Sequence, residues 1–476
     1  MYAGELTYNE KLYRFIVKDQ QLKLIPLFGD ESFLSFMERD EATGAYTAPP
    51  KGSRCHAKYF IGRCYDSGKA LAIIPANNIF GYTIDIFSEV SALTLPILHI
   101  AEFTGQARSI TGISLMGLEL DCIYPAYQFF GHKGKPFTDE EDERFSVIVS
   151  GFDETVTELG SVTIAGVEVA CKFKMALSRN IYGKTPISMD SVLSLNFDET
   201  DDFEFIFNSI NSVKRLLAYL CNRNSISFTK IKLMSSDDDG RQYESANISE
   251  SPLLNQQEDD ARAKKQFIPY VAVEGKLKDI FQDVIDGKMY MRHIPNTIAG
   301  GGLNVPNFIM IMTAFEGEHD RLNPNCPAPE QKKIDAQVAI KNELESLKKA
   351  STGKDRKEIY RRLISQIDHR PLNAEVAFSL KKHWDVLEPF IKHMYRINGI
   401  DDKISKIANR VCGQRNDFAH GNLTKPFDTD TISDILIIKY LVYVMQLSKH
   451  GIPKENIQGI LKKLFDAKVS TRVTYV

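Results

Sequence analysis

With 476 residues the chain is long enough for two or more domains, each with a sizeable core. Its 43 % hydrophobic and 25 % charged residues are those of an ordinary globular protein. A net charge of -3 excludes a global nucleic-acid-binding signature, so any RNA-binding surface has to be a local patch.

From about Leu6 to Leu233 the sequence reads mainly as strands. Residues 12–17 and 22–27 alternate around a polar Lys18-Asp19-Gln20-Gln21 turn, which predicts a hairpin. Further short strands are expected at 57–62, 70–74, 82–86, 93–98, 145–149, 162–169 and 225–231. Many short strands with Gly and Asp turns predict a sandwich-like or barrel-like β region. One helix is expected within it, around Phe203 to Leu220, from the stripe Ile206, Ile210, Val213, Leu216 and Leu217. No nucleotide-binding loop, GxSxG or paired-carboxylate motif occurs in this half. The seven cysteines are scattered without a CxxC pair, which predicts neither a disulfide framework nor a zinc ribbon. Cys55, His56 and Cys64 are three potential metal ligands, weighed against buried reduced thiols. The first residues carry no basic or strongly apolar leader, so the expected location is cytoplasmic.

The stretch 235–264 is polar and reads as a linker, giving a β-rich domain at 1–234 and a helical domain at 265–476. The fold class expected is α+β. In the second half, Val273 to Asp286 is amphipathic, and Gly300-Gly301-Gly302 forms a loop without the Lys-Ser/Thr of a P-loop. Pro306 suits the first turn of a helix that ends in a Glu316, Glu318, His319 cluster. Residues 327–351 and 355–369 read as helices rich in cations, among them Lys348, Lys349, Arg356, Lys357, Arg361 and Arg362. Such clusters can follow a phosphate backbone, but Glu343, Glu345 and Glu358 interrupt them, so solvated, salt-bridged helix faces compete with an RNA groove. Ala374 to Tyr395 is expected as one helix kinked at Pro389. Thr431 and Asp434 resemble a capping box for a long final helix whose apolar run, 435–447, is too short to span a membrane.

Between these helices lies Arg415-Asn416-Asp417-Phe418-Ala419-His420. Ile404, Ile407, Ala408, Val411 and Cys412 recur at helical spacing before it, with Asp401 or Asp402 as a cap. Extended by two turns, that stripe reaches Arg415 and Asn416, then Ala419 and His420. A guanidinium on a core-facing stripe needs a partner. Two readings stay open: a structural pair with Asp417 or a carboxylate of a neighbouring helix, or a site for phosphate chemistry. In the second, arginine stabilises charge on phosphorus and histidine moves a proton near neutrality.

Arg415-Asn416-x-x-x-His420-Gly421, late in a helical bundle, resembles the signature of HEPN-domain ribonucleases. The layout of a β-rich half before a helical bundle is similar to ApeA-type bacterial abortive-infection proteins. The resemblance implies a metal-independent, cofactor-free endoribonuclease acting on host RNA, with tRNA the favoured class. Arg415, Asn416 and His420 would be catalytic, Asp417 and Glu316 supporting, with Glu316 the partner of Arg415. It further implies a homodimer through the helical domain, no membrane, and a phage-derived activator. Two alternatives stand beside it. One is a non-catalytic HEPN-like dimerisation or RNA-binding module with the N-terminal domain as the functional part. The other is a purely structural Arg415 pair.

Overall fold

The computed structural model describes residues 1–27, 38–39, 46–47, 55–84, 91–126, 130–133, 146–149, 156–179, 187–250, 264–296, 302–324, 331–367, 371–422, 427 and 429–469. The fold is α+β, with strands in the N-terminal part and helices in the C-terminal part. Two compact units divide the chain. The first comprises 1–270, 277–286 and 296–298, the second 271–276, 287–295 and 299–476.

In the first unit, β1 (Tyr2–Tyr8), β2 (Lys11–Lys18) and β3 (Gln21–Pro26) form a meander. Its two-residue turns, Asn9-Glu10 and Asp19-Gln20, take positive φ at both positions, which matches the right-handed twist of the flanking strands. The short pairs β4 (Glu38–Arg39) and β5 (Tyr46–Thr47) stand apart. Next come β6 (Phe60–Cys64), β7 (Ala70–Pro75), β8 (Gly81–Ile84) and the 13-residue β9 (Ser91–Phe103). β7 pairs back onto β9, so β9, β3, β2, β1, β6 and β7 close a six-stranded antiparallel barrel. Its interior holds Phe15, Leu22, Leu24, Phe60, Leu71, Ile73 and Leu95. Cys55 and Cys64 point into this same core, and burial pushes both thiols up. They are apolar fillers there, with Cys55 donating to the Ala57 carbonyl.

The sheet continues past the barrel because β9 is long enough to carry a further neighbour. Strand β10 (Ile110–Met116), helix α1 (Leu118–Ile123), the separate hairpin β11 (Phe130–Lys133) and β12 (Ser146–Val149), then β13 (Thr157–Ile164), β14 (Val167–Arg179) and β15 (Ile187–Thr200) follow. After helix α2 (Phe203–Cys221) come β16 (Lys230–Ser236) and β17 (Gln242–Glu250). The order β13-β14-β15-β10-β16-β17-β9 makes an open antiparallel sheet. α2 starts where expected: the Asp202 carboxylate accepts from Glu204 N at 2.9 Å and Phe205 N at 3.3 Å. At the free edge, α3 (Leu277–Ile285) supplies Gln282. Its carboxamide accepts from Thr163 N at 2.7 Å and donates to Thr163 O at 3.2 Å, satisfying a backbone that has no further strand.

Several expectations change here. The predicted strand 162–169 is a hairpin, broken by Ala165-Gly166 at φ 49° and 85°. Strand β16 begins at Lys230, not at 225. The expected linker 235–264 is largely strand where described. β16 and β17 are joined by a turn in which Asp237 Oδ1 accepts from Asp239 N and Arg241 N, and β17 lies inside the sheet between β16 and β9. Its polar residues face outward from a sheet whose other face is buried, which a composition reading cannot separate from a loop. The first unit accordingly runs past 264. Of the two expected forms, sandwich-like and barrel-like, the β region takes the second, a barrel with an open sheet attached.

The second unit contains α4 (Val305–Leu322), α5 (Gln331–Ala350), α6 (Lys354–Ile367), α7 (Leu372–Lys382), α8 (Trp384–Asn398), α9 (Ile404–Ala419), α10 (Thr429–Lys449) and α11 (Lys454–Phe465). α10 is the axis: α4, α8, α9 and α11 all pack on it. Among the described helices it is the one long and apolar enough to cross a membrane, and 83 % of that window is buried inside the unit, as in a core helix. Pro306 occupies the first turn of α4, and Asn304 caps it, accepting from Asn307 N at 2.9 Å. Gly317 of α4 lies under the Tyr290 ring, where a Cβ would collide. The expected helix 374–395 is two helices meeting at His383. Pro389 lies inside the second of these. It removes the donor to Asp385 O, and Gln458 Nε2 of α11 replaces it at 3.3 Å. Thr431 and Asp434 are not a capping box, since the helix already starts at Thr429. Asp434 is instead fully buried and accepts from Tyr395 Oη and from Arg410 Nε and Nη2, the latter two at 2.7 and 2.8 Å. α5 and α6 pack on each other, and neither has a fully buried side chain among those described.

Two buried histidines are expected to weaken the fold in acid. His99 stacks on Phe207, and burial followed by the Lys214 charge holds its pKa down at about 4. His293 packs edge-on to Tyr443, and burial followed by the Lys439 charge holds it down at about 3. Both stay neutral when folded, whereas the unfolded chain takes up their protons near pH 6.5. Stability is therefore complete above pH 6.5 and falls as pH drops below it, by about 1.4 kcal/mol per pH unit for each histidine. Urea midpoints measured from pH 7 to about 5 should fall, and His293→Phe should flatten the slope.

Candidate functional site

The motif lies at the end of α9. Ile407, Ala408, Val411, Cys412, Gln414 and Phe418 form its buried side. The sequence pattern was expected to carry the stripe to Arg415 and Asn416; it drifts instead through Gln414 and Phe418. Arg415 is half-exposed, while Asn416 and His420 are exposed. The helix start also differs: Lys403 is the cap residue, with no side-chain bond, and Asp401 accepts from Lys403 N at 3.0 Å.

His420 is the C-cap. Its N–H donates to Asn416 O at 3.0 Å, and Gly421 follows with φ 85°. Asn416 and His420 are separated by one turn and share the exposed side. Arg415 reaches across to α4. Its Nε and Nη2 donate to Glu316 Oε1 and Oε2, both at 3.2 Å, in a two-pronged pair. The carboxylate opposite Arg415 is therefore Glu316, and Asp417 is half-buried further along the helix. The rest of the cluster at the end of α4 is structural. Glu318 is buried and accepts from Tyr290 N, Gln446 Nε2 and Arg321 Nε, while His319 Nδ1 bonds Ser379 Oγ at 2.8 Å.

Arg415, Asn416 and Glu316 line a cleft of about 860 Å³ between α4, α7 and α9. Asp320, Asn373, Glu375, Asn409 and Cys412 also line it, and Asn373 Nδ2 donates to Asn409 Oδ1 at 2.8 Å. His420 is not among the lining residues. Asn409 was legible in principle, because it stands two turns before Asn416 on the same helix face. Asn373 and Glu375 come from α7 and carry no sequence signal linking them to the motif. Cys412 is no nucleophile: burial, then the Glu316 charge, pushes its thiol up to about 12. Three carboxylates, Glu316, Asp320 and Glu375, face one guanidinium in this cleft.

The cationic residues of α5 and α6 do not line the cleft. Lys348 pairs with Glu345 at 3.2 Å, and Arg361 and Arg362 pair with Glu358 at 2.9 and 3.6 Å. Lys349, Arg356 and Lys357 are exposed. Among the described residues no group of three or more His, Cys, Asp or Glu is arranged to hold a metal ion.

The Arg415–Glu316 side chains are 34 % and 32 % exposed, so solvent screens the pair. Arg415→Ala should cost no more than about 1 kcal/mol. For a unit of this size that lowers the melting temperature by roughly 2–4 °C. A collapse of the fold would instead make Arg415 a structural residue.

Compared with known proteins, the chain matches no family model, no curated protein and no solved structure.

Proposed function

We infer that this chain is a metal-independent endoribonuclease of HEPN type, acting on host RNA, tRNA above all, in cytoplasmic abortive infection. The observation that carries this reading is the end of α9. There an arginine held by Glu316 stands beside an exposed Asn416 and an exposed His420. In the reaction, the RNA 2'-OH attacks the adjacent phosphate and expels the 5'-oxygen, leaving a 2',3'-cyclic phosphate and a 5'-OH. His420 takes or gives the proton. Arg415 offsets the charge of the pentavalent intermediate through its remaining donors. Asn416 orients the imidazole or a phosphate oxygen. One motif supplies one histidine, and acid–base cleavage works better with two. Two chains would therefore face their motifs across a dimer interface. The exposure of Asn416 and His420 suits such an arrangement.

The carboxylates of the cleft favour a second reading, in which the helical unit serves only for dimerisation and does not act on RNA, because Glu316, Asp320 and Glu375 repel a polyanion. The test is incubation of total cellular RNA with purified wild type and His420→Ala in EDTA, with analysis of the new ends. Cyclic-phosphate ends produced by wild type alone support the nuclease. Cutting retained by His420→Ala removes this motif from the reaction, and full activity from a strict monomer removes the composite site.

A further inference from the structure

The outer face of the open sheet carries a row of side chains unlike the rest of the first unit. Cross-strand register places Lys172 of β14 opposite Ser194 of β15, Ser194 opposite Ser114 of β10, and Ser114 opposite Lys232 of β16. Directly opposed residues share a face, so Lys-Ser-Ser-Lys runs in line across four adjacent strands. Lys174 stands two residues from Lys172 on that face. The other face of these strands, with Leu193, Leu195, Ile113, Leu115, Ile231 and Leu233, is apolar and buried.

The serines lie at the bottom of the row. Ser194 is 3 % exposed and its hydroxyl has no hydrogen-bond partner among the described residues; Ser114 is 5 % exposed. A buried unpaired hydroxyl is unfavourable, and a bound acceptor would remove that cost. The two lysines of the row are about 14 Å apart at Cα, three strand spacings, which lets their side chains lean together over the serines. Lys172 and Lys174 have no carboxylate partner among the described residues. Lys232 is shared with Glu244 at 2.5 Å. Burial, then the neighbouring Lys172 and Lys232 charges, holds the Lys174 ammonium below its ordinary value. That is the state of an ammonium short of an anion.

We propose that Lys172, Lys174 and Lys232, with the Ser194 hydroxyl between them, bind a compact phosphate-bearing anion. The row itself limits the ligand's size. Beyond Lys172 stands Glu158 on β13, and beyond Lys232 stand Asn247 and then Glu102. Carboxylates thus close both ends of the cationic stretch, which suits one phosphate group and opposes a polynucleotide running across the sheet. Tetrahedral oxygens placed over Ser194 accept its O–H and the lysine N–H donors in charge-assisted bonds.

The test is isothermal titration of the full chain with inorganic phosphate and, separately, with AMP. Saturable binding is expected, weakened about tenfold or more by Ser194→Ala and by Lys174→Gln. If Lys174→Gln does not fold, Lys172→Gln reads the same contact. AMP binding more tightly than phosphate marks a phosphomonoester as the ligand, and equal affinities mark the free anion. The proposal is overturned if neither probe saturates, or if affinity is unchanged in the variants. It is also overturned if a short single-stranded RNA, but not phosphate, binds through these lysines.

Discussion

Asp434→Ala is expected to destabilise the helical unit by about 3–5 kcal/mol, the largest loss for any single substitution near the motif helix. The carboxylate is fully buried on α10 and accepts three donors, the Tyr395 hydroxyl and two nitrogens of Arg410. Arg410 also donates to Asp401 O at 3.2 Å, so this one guanidinium ties the start of α9 to α10. Alanine leaves the buried Tyr395 hydroxyl without its acceptor and leaves Arg410 only the Asp401 carbonyl and the Asp430 carboxylate, 4.0 Å away. The loss therefore exceeds that of an exposed pair, for which about 1 kcal/mol is the ceiling. Asp434→Asn keeps the shape and one acceptor oxygen and should lose less. Denaturant midpoints order the variants, with wild type above Asp434→Asn and Asp434→Ala lowest. Equal midpoints for wild type and Asp434→Ala would show that the network contributes nothing to stability.

The contrast between Arg410 and Arg415 shows how far the sequence could be read. Both arginines lie on α9 and both meet a carboxylate of another helix. The motif drew attention to Arg415, and the resemblance to HEPN bundles, in which an early helix packs beside the motif helix, named Glu316 as its partner. Arg410 carried no such flag, and Asp434 was read as a cap because Thr and Asp three residues apart at a helix start fit that pattern equally well. Local spacing cannot say whether a side chain turns back on its own helix or outward to the next. The same limit explains the stripe of α9. Helical periodicity allowed it to pass through either Arg415 or Gln414, and packing against neighbouring helices chose Gln414 and Phe418. In the β region, hairpins such as β2–β3 were legible because their turn and alternation are local. Barrel closure by β7 on β9 was not, because it depends on pairing across residues whose spacing is set by loops. β17 was hidden by composition, since its buried Ala246 and Ile248 are too few to stand out among polar neighbours.

His420→Ala is expected to lower RNA cleavage by about 10²–10⁴ while leaving the fold intact. The structural half of this expectation follows from the cap. His420 sits at φ −89° and ψ 9°, a conformation open to alanine, and its bond to Asn416 O is made by the backbone. Its side chain is exposed, so the change in stability should stay within about 0.5 kcal/mol. The chemical half follows from the proposed role: among the described residues no histidine lines the Arg415 cleft, so His420 at its edge has no replacement there as proton carrier. Melting and cleavage measured together decide between the readings. An inactive but fully folded His420→Ala, beside an Arg415→Ala that is equally inactive and melts within a few degrees of wild type, places the reaction at the end of α9. An Arg415→Ala that unfolds, beside a His420→Ala that still cuts, makes the motif part of the scaffold and moves the activity elsewhere in the chain.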